Sequence, residues 1–171
     1  MSFFRSILKS FFFLLVTIGL GVLWHFVYEW SNNNVFLGLI APVNESVWEH
    51  LKLLFYPCLV LSLIEYFVMG KEREFIVGRI YSIILGMISI VAMYYLYDTV
   101  FGATPSVVNI IIYVLAVILT YGLTGVLISR KGSRCKDNVL SATILTILII
   151  LIFALFTQYP PNVFLFIPPV K

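Results

Sequence analysis

Charge is what this chain has least of. Eight acidic residues and two histidines serve 171 positions, and charged residues make up 11% of the whole. A soluble globular domain carries about a quarter. With 61% hydrophobic residues and a mean hydropathy of +1.05, the composition excludes that class and points to an integral membrane protein. The two cysteines, Cys58 in an apolar run and Cys135 in a basic loop, lie too far apart to suggest a disulfide framework or a cysteine-ligated metal. No H-E-x-x-H, phosphate-cradling glycine loop or G-x-S-x-G elbow is present, so no familiar motif names the chemistry. There is no internal repeat, which leaves an inverted-repeat transporter without support. No small-x-small cleavage site follows the first apolar run, so that run is expected to be retained as a helix.

What is present is a series of apolar runs long enough to cross a bilayer. The sequence predicts an all-α, polytopic membrane helix bundle, one transmembrane domain over 1–171, with five spans at about 10–30, 46–69, 75–97, 106–129 and 138–158. Pro57 should kink the second helix, and Thr104-Pro105-Ser106 should open the fourth after an outer turn that begins at Asp98. Gly122 and Gly125 should let helices pack closely. Segment 35–43 is too short to span and too apolar for open water. Like the proline-broken tail 160–171, it is expected to lie in the interface or fold over the bundle.

Arg5, Lys9, Lys71, Arg73, Arg79, Arg130, Lys131, Arg134 and Lys136 fall on one side of this topology, and Lys52 and Lys171 on the other. The positive-inside rule then predicts the N-terminus in and the C-terminus out, in the cell membrane. The tryptophans Trp24, Trp30 and Trp48 fall at the outer interface, as an aromatic belt would. The basic loop 130–136 is expected to meet the anionic headgroups of membrane lipids rather than nucleic acid.

Most of the unusual polarity gathers at the outer end of helices one and two. His25 and Glu29 are four apart, about 40° from each other on a helix face. The stretch Pro42-Val-Asn-Glu-Ser-Val-Trp-Glu-His-Leu-Lys52 adds Asn44, Glu45, Ser46, Glu49, His50 and Lys52, and Asp98 falls on the same side. A structural reading explains part of this. Ser46-Val-Trp-Glu49 has the form of a capping box in which each residue bonds the other's amide, and Lys52 would snorkel outward. Capping does not account for His25, Glu29 or His50, which are costly in a membrane unless they face a wet cavity or a partner. Imidazole with carboxylate suits Zn²⁺, and carboxylate-rich sites suit Mg²⁺ or Mn²⁺. His25, Glu29 and His50 are therefore the expected metal ligands, with Glu49 and Glu45 as catalytic acid–base candidates. Deeper in the bundle, Glu65 is expected to pair with Arg79.

The blocks His25-Phe-Val-Tyr-Glu-Trp30 and Pro42 to Lys52 resemble those of a family of uncharacterised small bacterial multi-pass integral membrane proteins. The resemblance implies a multi-pass fold and no particular activity. A looser similarity, to the ceramidase-like membrane hydrolases, does not extend to their late-helix histidine pair, since the last span has no histidine. The expected function is a metal-dependent, lipid-directed hydrolase embedded in the membrane. The alternatives are a binding or transport protein for a cation, proton or small polar solute, and an accessory subunit whose outer cluster docks a partner.

Overall fold

The computed structural model describes residues 2–69, 73–102, 104–129 and 139–169. Residues 70–72, the basic loop expected at 130–136 with Cys135, and Lys171 lie outside the described residues. The described chain is all-helical: α1 (Ser2–Trp24), α2 (Val27–Trp30), α3 (Val35–Gly38), α4 (Val47–Met69), α5 (Arg73–Phe101), α6 (Ser106–Ser129) and α7 (Val139–Gln158), then a 3₁₀ turn at Phe164–Phe166. Among the described residues, four segments are long and apolar enough to cross a membrane: Val47–Val68, Glu74–Phe101, Ser106–Ile128 and Val139–Gln158. This is the architecture of a membrane protein. The apolar stretch Leu8–Trp24 of α1 is shorter.

α4 is the centre of the bundle and α7 its edge, with 61% and 11% of their spans buried. Leu54, Phe55 and Cys58 of α4 meet Ile83 of α5, Ala116 and Val117 of α6 and Phe153 of α7 in one core. Pro57 lies within α4 without ending it. Close helix approach occurs at Gly21 and Gly86 rather than at Gly122 and Gly125, beside which an added Cβ would meet nothing within 4 Å. A Cβ at Gly21 would run into Tyr113 and the Leu53 carbonyl. Gly21→Ala is accordingly expected to cost about 1–3 kcal/mol of stability through overpacking, read as a lower unfolding midpoint in detergent, while Gly122→Ala should cost nothing.

Two boundaries differ from the sequence reading, each for a local reason, and segment 35–43 takes one of its two expected places. α1 stops at Trp24: the Phe26 amide bonds the Leu23 carbonyl, a tightened last turn, and His25 sits in the break before α2. α5 runs on to Phe101, so Asp98 lies in its last turn rather than in a loop. Gly102, at φ +76, supplies the left-handed residue that ends it, its amide bonding the Asp98 carbonyl at 2.7 Å. Segment 35–43 folds over the end of the bundle as α3 and a following loop. Asn34 caps α3 from Oδ1 to the Phe36 amide at 2.9 Å, and Trp24 Nε1 donates to the Ile40 carbonyl at 2.8 Å. Asn32 and Asn33, both at φ 57, make the sharp turn before it, asparagine being one of the few residues that tolerates that conformation. The tail returns over the same end, placing Phe166 against Trp48 with ring centroids 4.9 Å apart.

Candidate functional site

Two polar groups are built at this end of the bundle, one open and one buried. The open group forms where the break after α1 exposes His25, the loop before α4 carries Glu45, and the first turn of α4 carries His50. His25 Nε2 lies 3.6 Å from Glu45 Oε1 and His50 Nε2 lies 3.5 Å from Glu45 Oε2. The two imidazole rings are 5.5 Å apart. One ligand atom from each residue lies within 4.8 Å of the others, close enough to hold a metal ion. The side chains are 32%, 47% and 20% exposed for His25, Glu45 and His50, so an ion could reach them from outside.

His50 is oriented by its own helix. Its Nδ1 lies 2.8 Å from the Ser46 carbonyl oxygen, an atom that only accepts, so Nδ1 carries the proton. Neutral imidazole then turns a bare Nε2 lone pair toward the Glu45 carboxylate. Two acceptors facing each other across 3.5 Å call for a cation or a proton. A metal-bound histidine is typically fixed in this way by a carbonyl on its other nitrogen.

Glu29 does not join the group. It is exposed on α2 and lines an end cleft of about 270 Å³ together with His25, Asn33, Asn44 and Glu45. Asp98 stays on α5 beside Tyr94 and Tyr95 and lines none of the clefts described here. A second cleft, of about 290 Å³, lies between α1 and α6. His25, Glu45 and His50 line it together with Ser106, Asn109 and Tyr113. The α6 residues carried a signal in their spacing, since Asn109 and Tyr113 are four apart and share a helix face.

The buried group corrects two expectations. Lys52 does not snorkel: it is fully buried, and its Nζ donates to Glu49 Oε2 at 2.7 Å, the Gly38 carbonyl at 2.9 Å, the Ala41 carbonyl at 3.3 Å and Thr157 Oγ1 at 2.6 Å. The folded-back loop covers the position from which Lys52 would have reached water. The capping box is only half formed. The Glu49 amide bonds Ser46 Oγ at 3.4 Å, but the Ser46 amide bonds Asn44 Oδ1 at 2.9 Å instead. The Glu49 carboxylate takes the Val43 amide at 3.0 Å and the Thr157 hydroxyl at 3.1 Å. Lys52, Glu49 and Thr157 thereby tie α4, α7 and the loop leading to Glu45 together. Thr157 carries no sequence signal, being one hydroxyl near the end of an apolar run.

The Glu65–Arg79 pair forms as expected, buried, at 2.7 Å. Arg79 also stacks on the Tyr121 ring, 3.8 Å from its centroid.

No curated protein and no solved structure matches the chain. The model of a family of unknown function, DUF6512, matches residues 4–171, nearly the whole chain, and the chain belongs to that family.

Proposed function

We propose that the protein is a metal-dependent membrane hydrolase in which His25, Glu45 and His50 hold a divalent ion, zinc by ligand type. In this reading α1 completes a fifth span, with the N-terminus inside and the C-terminus outside, so that the site lies at the outer membrane surface. The observation that carries the proposal is the placement of His50 Nε2, oriented through Nδ1 by the Ser46 carbonyl and 3.5 Å from a carboxylate that also faces His25. Three protein ligands of these types are the usual set of catalytic zinc, and the ion, when bound, would supply a water that is nucleophilic near neutral pH.

The chain's carboxylates divide the remaining work. Both Glu49 oxygens are engaged by Lys52, Thr157 and the Val43 amide, which makes it a poor base and a good clamp. Glu29, lining the end cleft beside His25 and Glu45, takes the proton of the attacking water and returns it to the leaving group. The water oxygen joins the acyl carbon as the bond from that carbon to the leaving oxygen or nitrogen breaks.

Hydrolysis of p-nitrophenyl octanoate by the purified protein tests this. Turnover is expected with zinc, to be lost with chelator and recovered on adding zinc back. Glu29→Gln should lower it by about 10²–10⁴-fold, the usual share of a general base, while leaving metal content unchanged. Equal turnover with and without metal contradicts the reading.

A second reading, a proton or cation carrier, is favoured by one observation. From the groove, Tyr113 Oη donates to the Thr17 carbonyl at 2.9 Å, and Thr17 Oγ1 bonds Tyr121 Oη at 2.7 Å. Tyr121 stacks on Arg79, which pairs with Glu65. A polar seam thus leads toward the other end of the bundle. Zinc-dependent proton or metal flux in proteoliposomes, without ester turnover, would favour this reading.

A further inference from the structure

The clefts that meet at the His25–Glu45–His50 group differ in kind. The first, about 270 Å³, has Glu29, Asn33 and Asn44 in its walls, all three exposed, and it opens at the end of the bundle. The second, about 290 Å³, has Val22 of α1, Phe26 of the break after it, Ile110 and Tyr113 of α6 and Leu53 of α4 in its walls. Val22, Phe26 and Ile110 are 43%, 41% and 56% exposed, so this groove opens sideways on the surface that faces lipid. His25 and Glu45 line both.

A molecule that fills both clefts has an apolar chain in the groove and a polar head in the end cleft, with the junction between them at the three ligands. An apolar cavity of about 150 Å³ holds one benzene. By that measure the groove takes one chain of roughly ten carbons, not two. The charge of the end cleft narrows the head. Glu45 is committed to the ion, which leaves Glu29 as the free charge of this lining, with no Lys or Arg, and Lys52 is enclosed in its own network, so an anionic head would face the Glu29 carboxylate without a basic side chain.

Asn109 adds a further constraint. It lines the groove with His50 and Glu45, and its Oδ1 is buried without a hydrogen-bond partner. A buried acceptor left unpaired is costly, and a hydroxyl or N–H at the junction of chain and head, beside His50 and Glu45, would satisfy it.

Resting on the hydrolase reading for its chemistry, we infer that the substrate is a single-chain amphiphile with an uncharged or cationic head and a hydroxyl or N–H next to the linkage between chain and head. It enters sideways from the bilayer between α1 and α6, and Asn109 orients it.

The test is binding, which does not require turnover. Native mass spectrometry of the detergent-released full chain would count bound 1-O-decylglycerol, an ether that the hydrolase cannot cleave, with its 3-phosphate as the comparison that carries an anionic head. One decylglycerol per chain is expected, bound at least tenfold more tightly than the phosphate. Val22→Trp and Ile110→Trp, on different helices and at exposed positions, should fill the groove and weaken binding at least tenfold with zinc content unchanged. Asn109→Leu should weaken it about tenfold, the worth of one buried hydrogen bond. His50→Ala should still bind, because the groove and the head cleft remain.

Equal binding of the 3-phosphate, or binding unaltered in both tryptophan variants, marks lipid held nonspecifically on the bundle and overturns the inference. Zinc-dependent ester turnover in a protein that binds no decylglycerol also overturns it, and leaves the hydrolase reading standing. Decylglycerol binding in a protein that takes up no zinc supports the groove and removes the hydrolase.

Discussion

Lys52→Met is expected to destabilise the protein by about 3–5 kcal/mol, the usual cost of removing one partner from a buried ion pair. Methionine fills a similar volume, so the loss is electrostatic: Glu49, almost fully buried, is left without its cation, and the Gly38 and Ala41 carbonyls lose their donor. The double variant Lys52→Met/Glu49→Gln should recover much of the loss, because it removes the stranded carboxylate while leaving an amide that can still meet Thr157 and the Val43 amide. Denaturant unfolding in detergent reads both. A loss of less than about 1 kcal/mol in the single variant, the range of an exposed pair, would mean that the loop opens and lets Lys52 reach water.

The second large effect falls on metal affinity. His25→Ala and His50→Ala are each expected to weaken zinc binding at least about 100-fold in a competition titration, whereas Glu29→Gln, outside the ligand group, should change it by no more than about threefold. These magnitudes follow from the loss of one of three ligands, since even an outer-shell partner is worth about 10–100-fold. Affinity should also fall as the solution is acidified, because protons compete for the imidazole nitrogens that bind the ion. Affinity that holds steady on acidification would mean that the histidines are not ligands.

The membrane architecture was legible because it follows from composition and run length. α6 begins at Ser106, after Pro105, and α7 ends at Gln158, as the apolar runs and prolines indicate, and the Glu65–Arg79 pair follows from the cost of leaving either charge alone in a membrane. The neighbourhood of the site was legible from its density of rare residues, but its division into two groups was not. That division depends on the loop 31–43 folding back over α4, which buries Lys52 against carbonyls of Gly38 and Ala41. Backbone carbonyls have no signature in a sequence.

The choice of Glu45 over Glu29 turns on a similar point. On an unbroken helix Glu29 would share a face with His25, but α1 ends at Trp24, so the i, i+4 relation no longer holds and the loop residue fills the place. Gly122 and Gly125 fit a small-residue packing motif, yet they lie on an open face of α6. Spacing alone does not say which face of a helix meets a neighbour.

The central claim is that His25, Glu45 and His50 bind a metal ion. The most direct measurement is the zinc content, by elemental analysis, of the full chain purified without a metal-affinity tag, beside His25→Ala and His50→Ala. The account predicts close to one zinc per chain in the wild-type protein and almost none in either variant, with all three folded to the same helical content. A folded wild-type protein that holds no metal, even after incubation with zinc or manganese, would contradict it. The carboxylate between the two imidazoles would then be bridged by a proton.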